Sequence, residues 1–366
     1  MASGFPYPTV LLTGATGSFG RACAQHLLAT APGVKLRAYS RDERKQSQLQ
    51  EHLGSARMSY LLGDIRDLER LRLACRNVTL IIHAAALKHV PALEYNPDEA
   101  WKTNILGTSN VIRAAIDCGV HQALLLSSDK AVAPVNSYGA TKLVAERLWI
   151  QANSYAPQGT AFSLVRYGNI AASRGSVLET YRRCLAQHRP LPITTLDMTR
   201  FWYDLPSAVR LVLQTATQRL RGAVLVPHLP AFSLLDLCRA VLGRDAESPL
   251  VADRDYTLVG IRPGEKRHEQ LLSAEEVCRA WWRTASDVGT AYCLPPLVHD
   301  WAPGRDPGPS AALGWQAPPA PGLHVPCEGP ESLVPLPYTS DAWPWRLTVA
   351  ELRARLARLE EGDDAV

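Results

Sequence analysis

The 366-residue sequence contains no apolar run approaching the roughly 20 residues that a membrane-spanning helix needs. Its opening, Met1-Ala-Ser-Gly-Phe-Pro-Tyr-Pro8, has no signal-peptide character. There is no long Lys/Arg run, and the net charge of +4 is mild. That argues against a nucleic-acid partner, while a slightly basic cleft suits a phosphorylated substrate. The eight cysteines, at 23, 75, 118, 184, 238, 278, 293 and 327, form no close pairs. They read as reduced thiols of a cytoplasmic protein, mostly packed as small apolar groups. No metal-ligand cluster is present: the spacing of His83 and His89 matches no zinc site, and both read as loop residues near a cofactor. A chain that is 46% hydrophobic and 20% charged builds a sizeable core in one large or two closely joined domains.

The amino-terminal third has a strong local pattern. Thr9-Val-Leu-Leu-Thr13 is a short apolar strand. It runs into Gly14-Ala-Thr16-Gly17-Ser18-Phe19-Gly20 and then a helical pattern. In strand–turn–helix context these glycines bind a dinucleotide. Gly14 permits the tight turn, Gly17 admits the pyrophosphate, and Gly20 lets helix and strand pack closely. The fold class is therefore α/β, a Rossmann-type doubly wound parallel sheet. Residues 34–40 form the second strand, ending in Ser40-Arg41-Asp42-Glu43-Arg44-Lys45. Ser40, Arg41 and Lys45 suit a 2′-phosphate, so NADP is expected, with NAD as the alternative through Asp42. Further strands end in Asp64-Ile65 and in His83-Ala84-Ala85-Ala86. The small residues let a cofactor lie against the backbone, and Lys88 and Asn104 follow.

The chemistry concentrates in residues 126–142. An apolar run, Ala123-Leu-Leu-Leu126, reads as a buried parallel strand and ends in Ser127-Ser128-Asp129-Lys130. Tyr138 and Lys142, four apart, share one face of the next helix. A lysine ammonium beside the phenol is expected to favour the phenolate. Asp129 and Lys130, at the strand's carboxyl end, add a second acid/base pair, so that one group takes a carbon-bound proton while the other protonates a leaving oxygen.

After about residue 170 the strand–helix alternation becomes irregular, as expected of a smaller substrate-binding lobe over 171–366, with elements up to about 220 partly returning to the first domain. Asn169, Ser173, Arg174, Thr199, Arg200, Arg262 and Glu265, with Lys88, are its candidate substrate contacts. Arg200 and Arg262 are candidate diphosphate clamps. The stretch Gly260 to Glu269 reads as a polar turn entering a helix. Residues 294–337 are rich in Pro and Gly and read as loops. Thr348-Val-Ala-Glu351 is a capping box, opening a terminal helix over about 348–361 with Leu352, Leu356 and Leu359 on one face.

Several of these segments carry a resemblance: Thr13 to Gly20, Tyr39-Ser-Arg-Asp-Glu43, His83-Ala-Ala-Ala-Leu-Lys-His-Val-Pro91, Ser127-Ser-Asp-Lys-Ala131, Tyr138-Gly-Ala-Thr-Lys142, Arg166-Tyr-Gly-Asn169, Ser173-Arg-Gly-Ser-Val177, Met198-Thr-Arg-Phe-Trp202 and Gly260-Ile-Arg-Pro-Gly-Glu-Lys266. The chain resembles the short-chain dehydrogenase/reductases of the extended type. Within them it is similar to the short, C5-inverting UDP-N-acetylglucosamine 4,6-dehydratases. The likeness runs from the first strand to about Leu272 and returns at Tyr338-Thr-Ser-Asp341. Membrane-anchored, C5-retaining relatives have Met where this chain has Tyr138, and the family usually has Thr where it has Ser128. The resemblance implies a UDP-amino sugar substrate, a recycled nicotinamide cofactor and a homo-oligomer, a dimer or ring of dimers, built through helices around 91–117 and 136–154. It implies Tyr138 as base for the 4-hydroxyl, Lys142 as its partner and Ser128 at the 4-oxygen. Lys130 removes the C5 proton, and Asp129 protonates the departing 6-hydroxyl. A sugar-nucleotide 4-epimerase shares Tyr138 and Lys142 but needs no Asp129-Lys130. A 5,6-dehydratase acting on a related UDP-hexose is compatible with the same motifs, and so, more remotely, is a non-catalytic NADP-binding protein.

Overall fold

The computed structural model describes residues 5–156, 159–173, 175–285, 289–296, 314–316 and 337–363. Its main sheet contains β1 Thr9–Thr13, β2 Lys35–Ser40, β3 Met58–Leu62, β4 Leu80–His83, β5 Gln122–Leu126, β6 Ala161–Val165, β7 Val224–Pro227, β8 Trp281–Ala285 and β9 Gly289–Leu294. Their spatial order is β8-β9-β7-β6-β5-β4-β1-β2-β3. From β3 across to β7 every pairing is parallel; β9 and β8 extend the sheet antiparallel. The central parallel strands β1, β4 and β5 are short, largely apolar runs because helices cover both faces. Val10, Leu11 and Leu12 of β1 and all of β4 and β5 are buried. The helices Leu68–Cys75, Gly107–Asp117 and Ser137–Tyr155 pack in series, and Ser18–Thr30 packs with Leu205–Gln218.

The order in which strands are added reverses between β1 and β4, the switch point where such sheets bind ligands at their carboxyl ends. His83 joins the two strands there: Nδ1 lies 2.7 Å from Thr13 Oγ1 and Nε2 3.2 Å from Thr108 Oγ1. It is a buried strand residue stacked on Trp149, which corrects its reading as a loop histidine. His89 does lie in the following loop, as the N-cap of the helix Val90–Tyr95.

A second apolar cluster, with Leu178, Tyr181, Ile193, Trp202, Phe232 and Leu237, is completed by the carboxyl terminus. Thr348 and Glu351 form the expected reciprocal cap. The helix Val349–Asp363 then places Leu352, Leu356 and Leu359 on this cluster. One element differs from expectation. The turn at 260–269 leads into a strand, Gln270–Leu272, paired antiparallel with Tyr338–Thr339. Leu271 and Leu272 are both buried in that pairing, and only a four-residue helix, Ala274–Val277, follows. The Pro-rich stretch 294–337 lies outside the described residues, apart from 294–296, 314–316 and 337. No helix among the described residues is long and apolar enough to cross a membrane.

Candidate active site

A cavity of about 860 Å³ opens at the carboxyl ends of the parallel strands. That is the scale of a site for a sizeable ligand. Of the described candidate residues, all but Thr199 line it. Thr199 is buried beside it, its hydroxyl 2.9 Å from His268 Nδ1 and 2.7 Å from Ser340 Oγ. Arg174 lies outside the described residues.

At one end is the glycine turn. Gly14 has φ +69°, and a Cβ there would lie 2.8 Å from Ala85 N, so the β1 and β4 loops touch backbone to backbone. Gly17 offers no side-chain cap to Ser18–Thr30, which leaves the first amides of the helix available to an anion. At the end of β2, Asp42 caps the helix Glu43–Leu53: it accepts from Lys45 N at 2.9 Å and pairs with Lys45 Nζ at 2.7 Å. Arg41 lies 3.6 Å from Asp64 and is half exposed to the cavity mouth.

The centre grows out of β5. Ser127 N donates to Val165 O at 2.7 Å, and Asp129 N to Tyr167 O at 3.1 Å, so the backbone stays tied to β6 past the strand's end. Asp129–Ala131 is one 3₁₀ turn capped by Ser128. Asn136 starts the active-site helix Ser137–Tyr155, accepting from Gly139 N at 2.7 Å and donating to Gly264 O at 2.6 Å. A Cβ on Gly139 would lie 2.2 Å from Lys130 O. Glycine is therefore what allows the helix to start against the turn and brings Tyr138 beside Lys130. Asn104 braces this from the other side: it bonds Leu87 twice and Thr141 Oγ1 at 3.0 Å, from within a π-helical turn, Trp101–Leu106.

The charges here are buried and tightly coupled. Lys130 Nζ lies 3.2 Å from Asp129 Oδ1 and 3.0 Å from Glu269 Oε1. Asp129 and Glu269 are 1% and 2% exposed. Two carboxylates and one ammonium in such a space favour one retained proton. Asp129 is the one pushed that way: burial, then the Glu269 charge, raises its pKa against Lys130 and Ser128. For Glu269, Lys130 and Arg200 together outweigh burial, and its pKa is lowered. Burial alone would lower Lys130, but Asp129 and Glu269 hold it above its ordinary value. Tyr138 is raised by burial, against Lys130 and a hydrogen bond shared with Ser128. Lys142, expected to lower it, instead donates to Leu126 O at 2.6 Å, and burial brings its own pKa down to about 8.

On the far side, Arg200 is held by Glu265, Thr199 O and Arg267 O, with Nε 3.8 Å from Glu269. Arg262 and Asn169 are exposed at the cavity wall. Burial, then Lys130, lowers the pKa of Lys88, and burial lowers that of Lys266, whose Nζ donates to Val132 O at 2.5 Å.

The profile of the polysaccharide biosynthesis protein family matches residues 10–285. The UDP-N-acetylglucosamine 4,6-dehydratase (inverting) of Campylobacter jejuni subsp. jejuni serotype O:23/36 (strain 81-176) is 43% identical over 269 residues, 73% of this chain and 78% of that protein. The chain belongs to the polysaccharide biosynthesis protein family. Another relative, the UDP-glucose 4-epimerase of Rickettsia felis (strain ATCC VR-1525 / URRWXCal2), is 36% identical over 78% of this chain and 82% of its own. Among solved structures, Pen from Bacillus thuringiensis superposes with a TM-score of 0.79 at 30% identity, covering 97% of this chain and 98% of its own.

This member of the polysaccharide biosynthesis family brings three further groups to the cavity: Glu269, Lys266 and Tyr167. The signal for Glu269 in the sequence is a single acid just before the apolar pair Leu271-Leu272. It resembles Asp129 just after Leu124-Leu125-Leu126, and reading the segment as helix hides it.

Proposed function

We propose that the protein is a UDP-N-acetylglucosamine 4,6-dehydratase that inverts C5, acting with NADP in the cytoplasm. The observation that carries this reading is the buried Asp129–Lys130–Glu269 cluster beside Tyr138 and Ser128, because an epimerase needs only the hydroxyl, the Tyr and the Lys. The relatives named for this activity support it.

The glycine cradle, with its uncapped helix start, fits a dinucleotide pyrophosphate. Asp42, which would favour the ribose diol of NAD, is occupied as a helix cap and Lys45 partner, while Ser40 and the half-exposed Arg41 line the cavity where a 2′-phosphate would lie. Bound there, a nicotinamide would supply the hydride acceptor for C4 oxidation and the hydride donor for C6.

Tyr138 Oη takes the 4-hydroxyl proton, with Ser128 at the same oxygen. Its raised pKa means that the phenolate has to be made in the assembled site, where Lys130 is its strongest favourable charge. The 4-ketone acidifies the C5 proton, so oxidation precedes elimination. Lys130 removes that proton, and Asp129, whose pKa burial and the Glu269 charge raise, acts as the acid for the departing 6-hydroxyl. One proton then returns to C5 from the opposite face. Tyr138 and Lys130 gain two protons, which equal the one given to water and the one returned to C5.

Arg262, Lys88, Asn169 and Ser173 are proposed to bind the UDP-sugar. Tyr95, Trp101, Val144 and Tyr155 expose apolar surface on the two helical segments expected to form a homo-oligomer, which light scattering tests. The seven described cysteines are free thiols, in keeping with a reducing compartment.

Proton NMR with UDP-N-acetylglucosamine in D₂O, no cofactor added, tests the reading. A new C6 methyl signal with deuterium at C5 is expected, with ring couplings of the inverted centre. Epimerisation without a methyl signal would replace the reading with the 4-epimerase that the Rickettsia relative's name suggests.

A further inference from the structure

Lys130 stands as an ammonium between two carboxyl groups, yet the elimination needs it as an amine. Its proton requires a destination inside a buried site. Asp129 Oδ1, at 3.2 Å, already accepts from Ser128 Oγ at 2.8 Å, and its carboxyl is the acid assigned to the departing 6-hydroxyl. Glu269 Oε1 is at 3.0 Å, and Glu269 Oε2 is buried with no hydrogen-bond partner among the described residues. We propose that Glu269 is a positioning residue for the C5/C6 elimination: it holds the Lys130 side chain and accepts its proton once C4 has been oxidised, leaving Lys130 as the amine that attacks the C5 proton. This deepens the dehydratase reading and rests on it.

The step is balanced. The ammonium and carboxylate become amine and carboxylic acid, no net charge moves, and the amine then gains the C5 proton. Excluding water from an ion pair favours this neutral form. In the structure Lys130, Arg200 and Lys266 hold Glu269 ionised against its burial. A substrate diphosphate drawing on Arg200 and Lys266 removes two of those three supports.

The scaffold around Glu269 is built to hold it. Its N–H donates to Ser340 Oγ, and Ser340 N–H donates back to its carbonyl, both at 2.9 Å. The strand that follows is anchored from beneath by Arg166 Nη1 on Leu271 O at 3.0 Å. Two segments far apart in sequence thus fix one carboxylate against Lys130.

Glu269→Gln keeps the shape and removes the proton acceptor. With UDP-N-acetylglucosamine in D₂O, deuterium incorporation at C5 and methyl formation should both fall by about 100-fold or more. Ketone formation at C4, followed as reduced nicotinamide in a single turnover, and KM should change little. The alkaline limb of kcat should also move to lower pH, because Asp129 loses the neighbouring charge that keeps it protonated. Unchanged or faster C5 exchange overturns the proposal, since Glu269 would then be a counter-ion that only restrains Lys130. Equal loss of C4 oxidation and C5 exchange overturns it as well, by showing general damage. If Glu269→Gln does not fold, Glu269→Asp, which retains the acid but shortens its reach, must show the same split between C4 and C5 chemistry, and lack of a split refutes the idea. Wild-type protein without dehydratase activity would refute the parent reading instead.

Discussion

Replacing Arg166 with Met tests how the sheet, the active-site helix and the substrate lobe are held together. Arg166 is 1% exposed, and its guanidinium meets Glu146 Oε2 at 2.7 Å and Glu276 Oε2 at 2.8 Å. Ser127 adds a bond to Glu146 Oε1 at 2.5 Å. Removing the cation alone leaves two carboxylates facing each other in the core. Breaking a buried pair from one side costs about 3–5 kcal/mol, a large part of a typical stability of roughly 5–15 kcal/mol. The loss should depend on pH. With Arg166 present, its charge and hydrogen bonds outweigh burial and depress Glu276. The stability from Glu276 is then complete above its unfolded pKa, near 4.3, and fades as pH falls through the lower folded value. Without Arg166, only the Ser273 N–H and the Arg279 charge still oppose burial, so the folded pKa rises and the stabilisation that Glu276 gives at high pH shrinks. Urea unfolding followed by tryptophan fluorescence should therefore show a gap from wild type that is widest near about pH 8 and narrows near about pH 5. A gap under about 1 kcal/mol at both values would refute the account. So would a gap that widens on acidification.

Other perturbations have equally definite outcomes. Gly139→Ala places a Cβ 2.2 Å from Lys130 O, so the 3₁₀ turn must move; kcat should fall about 100-fold, the scale set by roughly ångström misplacement, with little change in the far-UV circular dichroism spectrum. Arg41→Ala should weaken NADP binding about 10–100-fold, a loss of about 1.4–2.7 kcal/mol, and leave NAD binding nearly unchanged by calorimetry. Burial, then Lys142, lowers the pKa of His83 to about 3. A base depressed in the folded state stabilises above its unfolded pKa, about 6.5, and this contribution is lost on acidification towards the folded value. His83→Gln should flatten the acid limb of the stability profile over that window, as read from urea midpoints.

The elements legible in the sequence are those whose local pattern coincides with their tertiary role. The apolar runs at 9–13, 78–82 and 123–126 are buried on both faces, so composition alone marks them. Likewise, Gly14 and Gly20 report contacts made within their own turn and its neighbouring loop. The face shared by Tyr138 and Lys142 follows from helical spacing, which places both in the cavity. What spacing does not carry is the direction of each charge. Lys142 points at a backbone carbonyl and Lys130 supplies the field at Tyr138, because the glycine at 139 lets the two elements meet at a distance that only the fold defines. Thr199 lies in the expected segment but serves Ser340 and His268, partners 141 and 69 residues away.

Glu269 shows why the missing part has a common cause. Its place depends on Ser340, on Arg166 and on the pairing of Gln270–Leu272 with Tyr338–Thr339. Each is a long-range contact, and none leaves a periodic trace near residue 269. The same contacts make the lobe part of the chemistry. Arg166 sits at the end of β6, one strand from Ser127, and also bonds the strand that follows Glu269. A displacement of that strand therefore changes two things together: the packing under the sheet and the carboxylate that sets the charge of Lys130. Arg166→Met should accordingly lose C5 exchange more than C4 oxidation even where it remains folded, since Tyr138, on the helix that Arg166 reaches through Glu146, keeps further anchors of its own through Asn136, Asn104 and Thr141. Single-turnover formation of reduced nicotinamide, compared with deuterium incorporation at C5, measures that separation; parallel loss of both would mean that the strand carrying Glu269 has no selective hold on Lys130.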